Sequence, residues 1–257
     1  MADLRLLVAR RGAIGARVAK GLSARGAPVQ LVEVGLNKAD APRVGRDATV
    51  PLLTDPADLV VGVAGSTAVM PWGLAAHGAG ADDCPASASA HADGAAPDQL
   101  VPVARAHDCQ ILIPSGAQGG LDALSAAGRL PLTSVPQQFS KPSLAGATTP
   151  AEAAHDLASL TGPLCLFEGS AAEAFAQNAN VAVISAVAGM GLARTKVRLI
   201  ADPALTMIRH RVVAEGDFGR MKITLDNRAL ASDPQASKLA APSLARLIEN
   251  RTATLVT

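Results

Sequence analysis

Apolar and polar positions follow recognisable periods along most of this chain. Residues 4–9 (LRLLVA) form a short apolar run that predicts a buried strand. Beyond it Ile14, Val18 and Leu22 recur every four residues, on one face of a helix, and Gly26 stands where a C-terminal cap belongs. A second apolar run at 29–34 (VQLVEV) completes strand, glycine turn, helix and strand within about 30 residues, the size of a βαβ unit. Such a unit predicts a parallel sheet covered on both faces. The runs 58–65 (DLVVGVAG) and 109–117 (CQILIPSGA) read as further buried strands, each ending in a glycine-bearing turn of the kind that lines a ligand crevice. Between them, 75–97 is rich in Ala, Gly, Ser and Asp, which on composition reads as a loop or a poorly packed strand; structureless loops of that length are uncommon inside compact domains.

The pattern changes after residue 115. Strand propensity marks 130–138 (LPLTSVPQQ) and 164–169 (LCLFEG), and a helix start follows Pro150 over 150–160. The segment 181–192 (VAVISAVAGMGL) is apolar on every side, as in a helix buried in a core or an interface. Three alternating segments, TKVRLIA, IRHRVVA and RMKITLD, the last two joined through the turn EGDFG, predict an antiparallel sheet. Leu239, Leu244, Leu247 and Ile248 lie on roughly one face of a terminal helix over 237–250, with Pro242 predicting a kink. The fold class is therefore α/β, a doubly wound parallel sheet followed by a second α+β domain with a mainly antiparallel sheet.

Composition narrows the function. Lys and Arg (23) nearly balance Asp and Glu (22), which argues against an electrostatic nucleic-acid or membrane binder. Aromatic residues make up 2%, too few for base-stacking platforms, so the core is built from Ala, Val, Leu and Ile. Cys84, Cys109 and Cys165 lie far apart with no CxxC pair, and the histidines at 77, 91, 107, 155 and 210 show no ligand spacing, so no metal site is expected. With no apolar stretch long enough to span a bilayer and no export signal, a reduced, cytoplasmic chain is expected.

Candidate chemistry gathers at two places. The turn Arg10-Arg11-Gly12-Ala13-Ile14-Gly15 carries the second and third glycines of a dinucleotide fingerprint, with Arg10 at the first. Arg10 either contacts phosphate or obstructs the turn. Glu33, at the end of the second strand, stands where an acidic residue binds a ribose hydroxyl and favours NAD; a solvated strand-end carboxylate is the plain alternative. In the second half, strand alternation puts His210 on the apolar face between Arg209 and Arg211, where a lone histidine is more often a satisfied core residue than a catalyst. Asn178 and Asn180 open the apolar helix and suit a capping role. SGAQGG (115–120) either closes around a ligand or is a plain turn, and Ser115 lacks the GxSxG setting of a hydrolase nucleophile. Lys141 is a candidate for a substrate carboxylate, as are, less favourably by strand alternation, Arg209 and Arg211.

Four segments, IPSGAQGGLDALSAA (113–127), LFEGSAAEA (166–174), NANVAVISAVAGMGLARTKVRLIADP (178–203) and GDFG (216–219), resemble the L-aspartate dehydrogenases, NAD(P)-dependent enzymes that convert aspartate to iminoaspartate. The similarity runs over nearly the whole chain, weakest over about 35–110 and at the C-terminus. It implies a Rossmann-type dinucleotide-binding domain over 1–114, completed by the C-terminal helix 236–257, and a catalytic and dimerisation domain over 115–235. By position it assigns the family's active-site histidine to His210 and cofactor contacts to Ala117 and Asn180, and it matches Lys141, the candidate for substrate binding, to a family lysine; Gly12, Ala13, Ile14, Gly15 and Glu33 are the cofactor contacts that the glycine-turn pattern itself offers. The cofactor implied is NAD or NADP, the reactants L-aspartate, oxaloacetate and ammonia, and the assembly a homodimer. The chain departs from the family at Arg10 for a glycine, Ser140 for an arginine, Ile208 for an asparagine, GVAG (62–65) for Glu-Cys-Ala-Gly, and SASAHA (87–92) for an apolar strand. Two alternatives stand beside this reading: a related reductase of the dihydrodipicolinate reductase or homoserine dehydrogenase sort, and an inactive small-molecule binding protein with a degraded dinucleotide site.

Overall fold

Leu6, Leu7 and Val8 are consecutive and no more than 3% exposed, so the strand that carries them is covered on both faces. In the computed structural model, which describes residues 3–9, 13–34, 57–62, 66–86, 95–146, 154–175, 180–231 and 233–256, that strand is β1 (Leu4–Ala9). It pairs in parallel with β2 (Val29–Val34) and β3 (Leu59–Gly62), and β3 with β4 (Asp82–Pro85), in the order β2-β1-β3-β4. Helix α1 (Ala13–Ala24) joins β1 to β2 and lays Val18 and Leu22 against Leu6, Val8, Leu59 and Val61. Gly26, at φ 61°, ends it, with Ala27 N–H donating to the Leu22 carbonyl at 3.1 Å.

These elements belong to one of two units, Met1–Gly116 with Ala241–Thr257; the other is Ala117–Ala240. The described residues of 75–97, namely 75–86 and 95–97, are not one loop. They hold the end of α2 (Ser66–Gly78), then β4, then the start of α3 (Ala95–Ala106). Their small residues mislead because Ala76 and Cys84 are wholly buried there. The strand expected over 109–117 reduces to a single bridge, Ile111 with Asp83, for which Leu112 N–H donates to the Asp83 carbonyl at 2.7 Å. Pro114, without an N–H, cannot extend it. The departures at 63–65 and 87–92 lie outside the described residues. The C-terminal helix (Ala240–Asn250) buries Ala241, Leu244, Ala245 and Ile248 against the parallel sheet's core. Pro242 falls in its first turn, where the missing N–H has no partner to lose, so the expected kink is absent. Arg251 then ties the helix end down through Asp82 and, at 3.0 Å, Gln110.

The second unit is a six-stranded mixed sheet with helices on one face. After α4 (Leu121–Ala127), Pro136 splits the expected strand 130–138 into β5 (Leu132–Ser134) and β6 (Gln137–Pro142). A 3₁₀ turn (Ser143–Gly146) follows. Next come β7 (Leu164–Ser170), α5 (Ala171–Phe175), α6 (Asn180–Ala188), β8 (Lys196–Asp202), β9 (Ile208–Gly216) and β10 (Gly219–Asn227). A short pair, β11 (Ala229–Leu230) and β12 (Asp233–Ser237), closes the unit. The sheet order is β10-β9-β6-β8-β7, with β5 on β9. The three alternating segments are not one antiparallel run, because β6 lies between β8 and β9 and pairs in parallel with β8. Nor are the described residues of 150–160 helical beyond Ala154. Ser159 Oγ donates to the Asp156 carbonyl and Asp156 Oδ1 accepts from Ala158 N–H, a local turn that competes with a helix.

In β9 the residues Ile208, His210, Val212 and Ala214 are all buried, while those between are half-exposed. Leu124 of α4 packs on Val212 and Ala214, and Ala182 and Ala186 of α6 pack on Phe139 and Val197. Gly216 ends β9 where a Cβ would stand 2.3 Å from the Pro131 carbonyl oxygen, which Asp217 N–H already holds at 3.0 Å. We expect Gly216→Ala to cost about 1–3 kcal/mol, the range of forced overpacking. Thermal denaturation checks this, and an unchanged Tm refutes it.

Candidate active site

The turn between Ile113 and α4 is set by two left-handed glycines, Gly116 at φ 62° and Gly120 at φ 66°. A side chain at Gly120 is strained by that φ and would displace the tip of Ile223 of β10, whose Cδ1 lies 2.0 Å from where its Cβ would be. The turn is thus held close to the sheet, with Ala117 and Gln118 buried.

His210 is 4% exposed and reaches this turn. Its Nδ1 lies 3.0 Å from the Ala117 carbonyl oxygen. A carbonyl only accepts, so Nδ1 carries the proton and, in the neutral ring, Nε2 keeps its lone pair. Phe139, directly opposite on β6, meets the imidazole edge-on, with ring centroids 5.1 Å apart. Burial disfavours the charged ring most and outweighs the Ala117 hydrogen bond; the positive charge of Lys141 pushes the same way, and the pKa falls from 6.5 to about 4. His210 is therefore a neutral acceptor at physiological pH, not a group poised near 6.5.

Lys141 follows Phe139 by two positions on β6, on the same face of the sheet as His210, and its charge is felt at the imidazole. Arg209 lies on the opposite face, tied to Asp226 by hydrogen bonds of 2.6 and 2.9 Å. One residue here escaped the sequence reading. Asn227, 2% exposed at the end of β10, donates through Nδ2 to the same Ala117 carbonyl at 3.2 Å. Its available signal was period two: it continues the face of Ile223 and Leu225 with a polar group.

Of the residues expected to hold a dinucleotide, Arg10 and Gly12 lie outside the described residues. Ala13, Ile14 and Gly15 form the first turn of α1, directly after β1. Glu33 is the penultimate residue of β2, opposite Val8, and Asn180 is the first residue of α6. Within the first unit, the start of α1 fits a dinucleotide's phosphates. The positive end of α1 follows a parallel strand's carboxyl end, and Gly15 is buried in the helix's first turn, where a bare Cα permits close helix–strand packing. Among the described residues no helix is long and apolar enough to cross a membrane, and no group of three His, Cys, Asp or Glu side chains suits a metal ion.

Comparison with solved structures gives the fold. The chain matches the crystal structure of an aspartate dehydrogenase from Thermotoga maritima with a TM-score of 0.74, at 20% identity over 99% of each chain. It matches a scyllo-inositol dehydrogenase from Lactobacillus casei, solved with NAD(H) and scyllo-inositol, with a TM-score of 0.54, at 12% identity over 96% of this chain and 86% of that one. The chain shares the fold of these two dehydrogenases. Residues 122–251 match the family model described as aspartate dehydrogenase, C-terminal. The chain is 43% identical to the L-aspartate dehydrogenase of Brucella anthropi over 95% of both chains. It is 40% identical to that of Polaromonas sp. strain JS666 over 79% of this chain and 77% of the relative. The chain belongs to the aspartate dehydrogenase family.

Proposed function

We propose that this protein is an NAD(P)-dependent L-aspartate dehydrogenase. Hydride leaves aspartate Cα, iminoaspartate forms, and water converts it to oxaloacetate and ammonia, all reversibly. The observation that carries the reading is His210, held neutral by burial with Nδ1–H on the Ala117 carbonyl and Nε2 as an acceptor. When bound, the nicotinamide ring supplies the hydride-accepting chemistry. The chain's residues do the rest. His210 Nε2 takes the proton that the substrate ammonium gives up as its C–N bond becomes a C=N bond, and returns it in the reverse direction. Lys141, on the same sheet face, meets a substrate carboxylate. Gly12, Ala13, Ile14 and Gly15 receive the pyrophosphate, Glu33 the ribose, and Ala117 and Asn180 the nicotinamide end. Membership of the family supports His210, Lys141, Ala117 and Asn180 by position, and the glycine-turn pattern supports the others.

We assign the cofactor role to the unit that begins at Met1, and catalysis with homodimer formation to Ala117–Ala240. A cytoplasmic location agrees with cysteines that are all free, Cys84 among them buried.

The test is absorbance at the reduced-nicotinamide band with oxaloacetate, excess ammonia and NADH or NADPH, with Arg10→Gly alongside. Oxidation that requires ammonia is the expected result. Silence in the parent with activity in the variant would make Arg10 the obstruction in the glycine turn. Silence in both overturns the reading in favour of a small-molecule binding protein.

A further inference from the structure

The Ala117 carbonyl oxygen is shared. His210 Nδ1 lies 3.0 Å from it and Asn227 Nδ2 lies 3.2 Å from it, which uses both of its lone pairs. The two donors reach it from neighbouring strands. His210 pairs with Leu225 across β9 and β10, and Ile208 pairs with Asn227, so Asn227 is the diagonal neighbour of His210 on the same face. Ala117 has no side chain able to fix its own peptide plane, and it lies between the left-handed glycines 116 and 120. Its carbonyl therefore depends on what grips it.

Asn227 is placed at a cost. It is 2% exposed, and its Oδ1 is buried with no hydrogen-bond partner, where a leucine would continue the apolar face of Ile223 and Leu225 and leave no orphaned polar atom. The amide does one thing an apolar residue cannot, which is to donate to Ala117. We propose that Asn227 is a positioning residue: by gripping the Ala117 carbonyl it keeps that oxygen on His210 Nδ1, and so holds the imidazole in the Nδ1–H tautomer that presents Nε2. A carbonyl can only accept, so the ring nitrogen bonded to it carries the proton and the other nitrogen keeps its lone pair. With one donor removed the peptide turns, and both tautomers become populated. The importance of this grip for turnover rests on the acid–base reading of His210 above; the grip itself does not.

The test uses the full chain, with and without NADH, and reads the His210 tautomer from two-bond ¹H–¹⁵N correlations alongside steady-state kinetics. In the parent, Nδ1 gives a protonated-type shift and Nε2 an unprotonated one. Asn227→Leu, which keeps the strand's apolar face and removes the orphaned oxygen, folds at least as stably yet shows averaged shifts for the two nitrogens. Its kcat falls roughly 10- to 100-fold, as on loss of an outer partner that orients a histidine. Asn227→Gln, which keeps the carboxamide, recovers part of both signals. A single Nδ1–H tautomer in Asn227→Leu overturns the proposal. Averaged shifts with unchanged kcat uphold the grip and instead remove the acid–base role of His210.

Discussion

His210→Ala abolishes most turnover while leaving NADH binding intact. A positioned acid or base contributes typically 10²–10⁴-fold, so kcat for aspartate oxidation falls by about that factor. NADH titrated by fluorescence gives a Kd within about twofold of the parent's, because the proposed loss falls on the reacting amine and spares uniform cofactor binding. His210→Asn serves as a second variant that retains polarity beside Phe139 and the Ala117 carbonyl. Unchanged turnover in a folded variant refutes the assignment. The pH profile adds a check that a packing role does not produce. In the free enzyme the imidazole titrates near 4, so the acid limb it gives to kcat/KM lies there and not at 6.5. A bound substrate with two carboxylates favours the charged ring, so the corresponding limb in kcat moves to higher pH.

Much of this architecture is legible in the chain because local period and tertiary burial agree. The βαβ unit over 4–34 is one case: Val18 and Leu22, four apart in sequence, meet Leu6 and Val8 in the same core. The alternation Ile208, His210, Val212 is another, and it puts the imidazole where the structure has it. Reading fails where two levels disagree. Helices α2 and α3 contain Pro71 and Pro102, and although α2 buries Val69, Trp72 and Ala76 on one face, Met70, Leu74 and Ala75 make the rest apolar too, so no amphipathic stripe shows in the sequence. The parallel pairing of β6 with β8 is a long-range choice that no local pattern encodes. The histidine's environment was equally hidden. Its sequence neighbours are arginines, but Phe139 and Ala117, 71 and 93 positions away, set its exposure, tautomer and charge. Asn227 enters the site by the same non-local route.

A different buried ionisable group governs stability. Asp83 on β4 is 1% exposed, and its Oδ2 has no hydrogen-bond partner. It faces Gly73 of α2, beside Leu100, in a layer that also holds Val69 and Ile111. Burial raises its pKa from 3.8 to about 7, with the Cys84 N–H as the opposing donor. The folded state then holds a proton that the unfolded chain releases between pH 3.8 and 7, so stability on this account falls as pH rises through that window and stays low above it. At about 1.4 kcal/mol per unit the penalty is on the order of 4 kcal/mol by pH 8. His210 acts with the opposite sign. Its pKa is depressed from 6.5 to about 4, so its contribution is lost as pH falls through that range, and the two slopes largely cancel in the parent below 6.5. Comparison with Asp83→Asn removes that cancellation. The variant matches the parent near pH 4 and gains on it steadily to pH 7, where its first thermal transition lies on the order of 10 °C higher, at a few °C per kcal/mol. Parallel stability curves for parent and variant across that window would show that Asp83 ionises in the folded chain as readily as in the unfolded one, and would overturn this account.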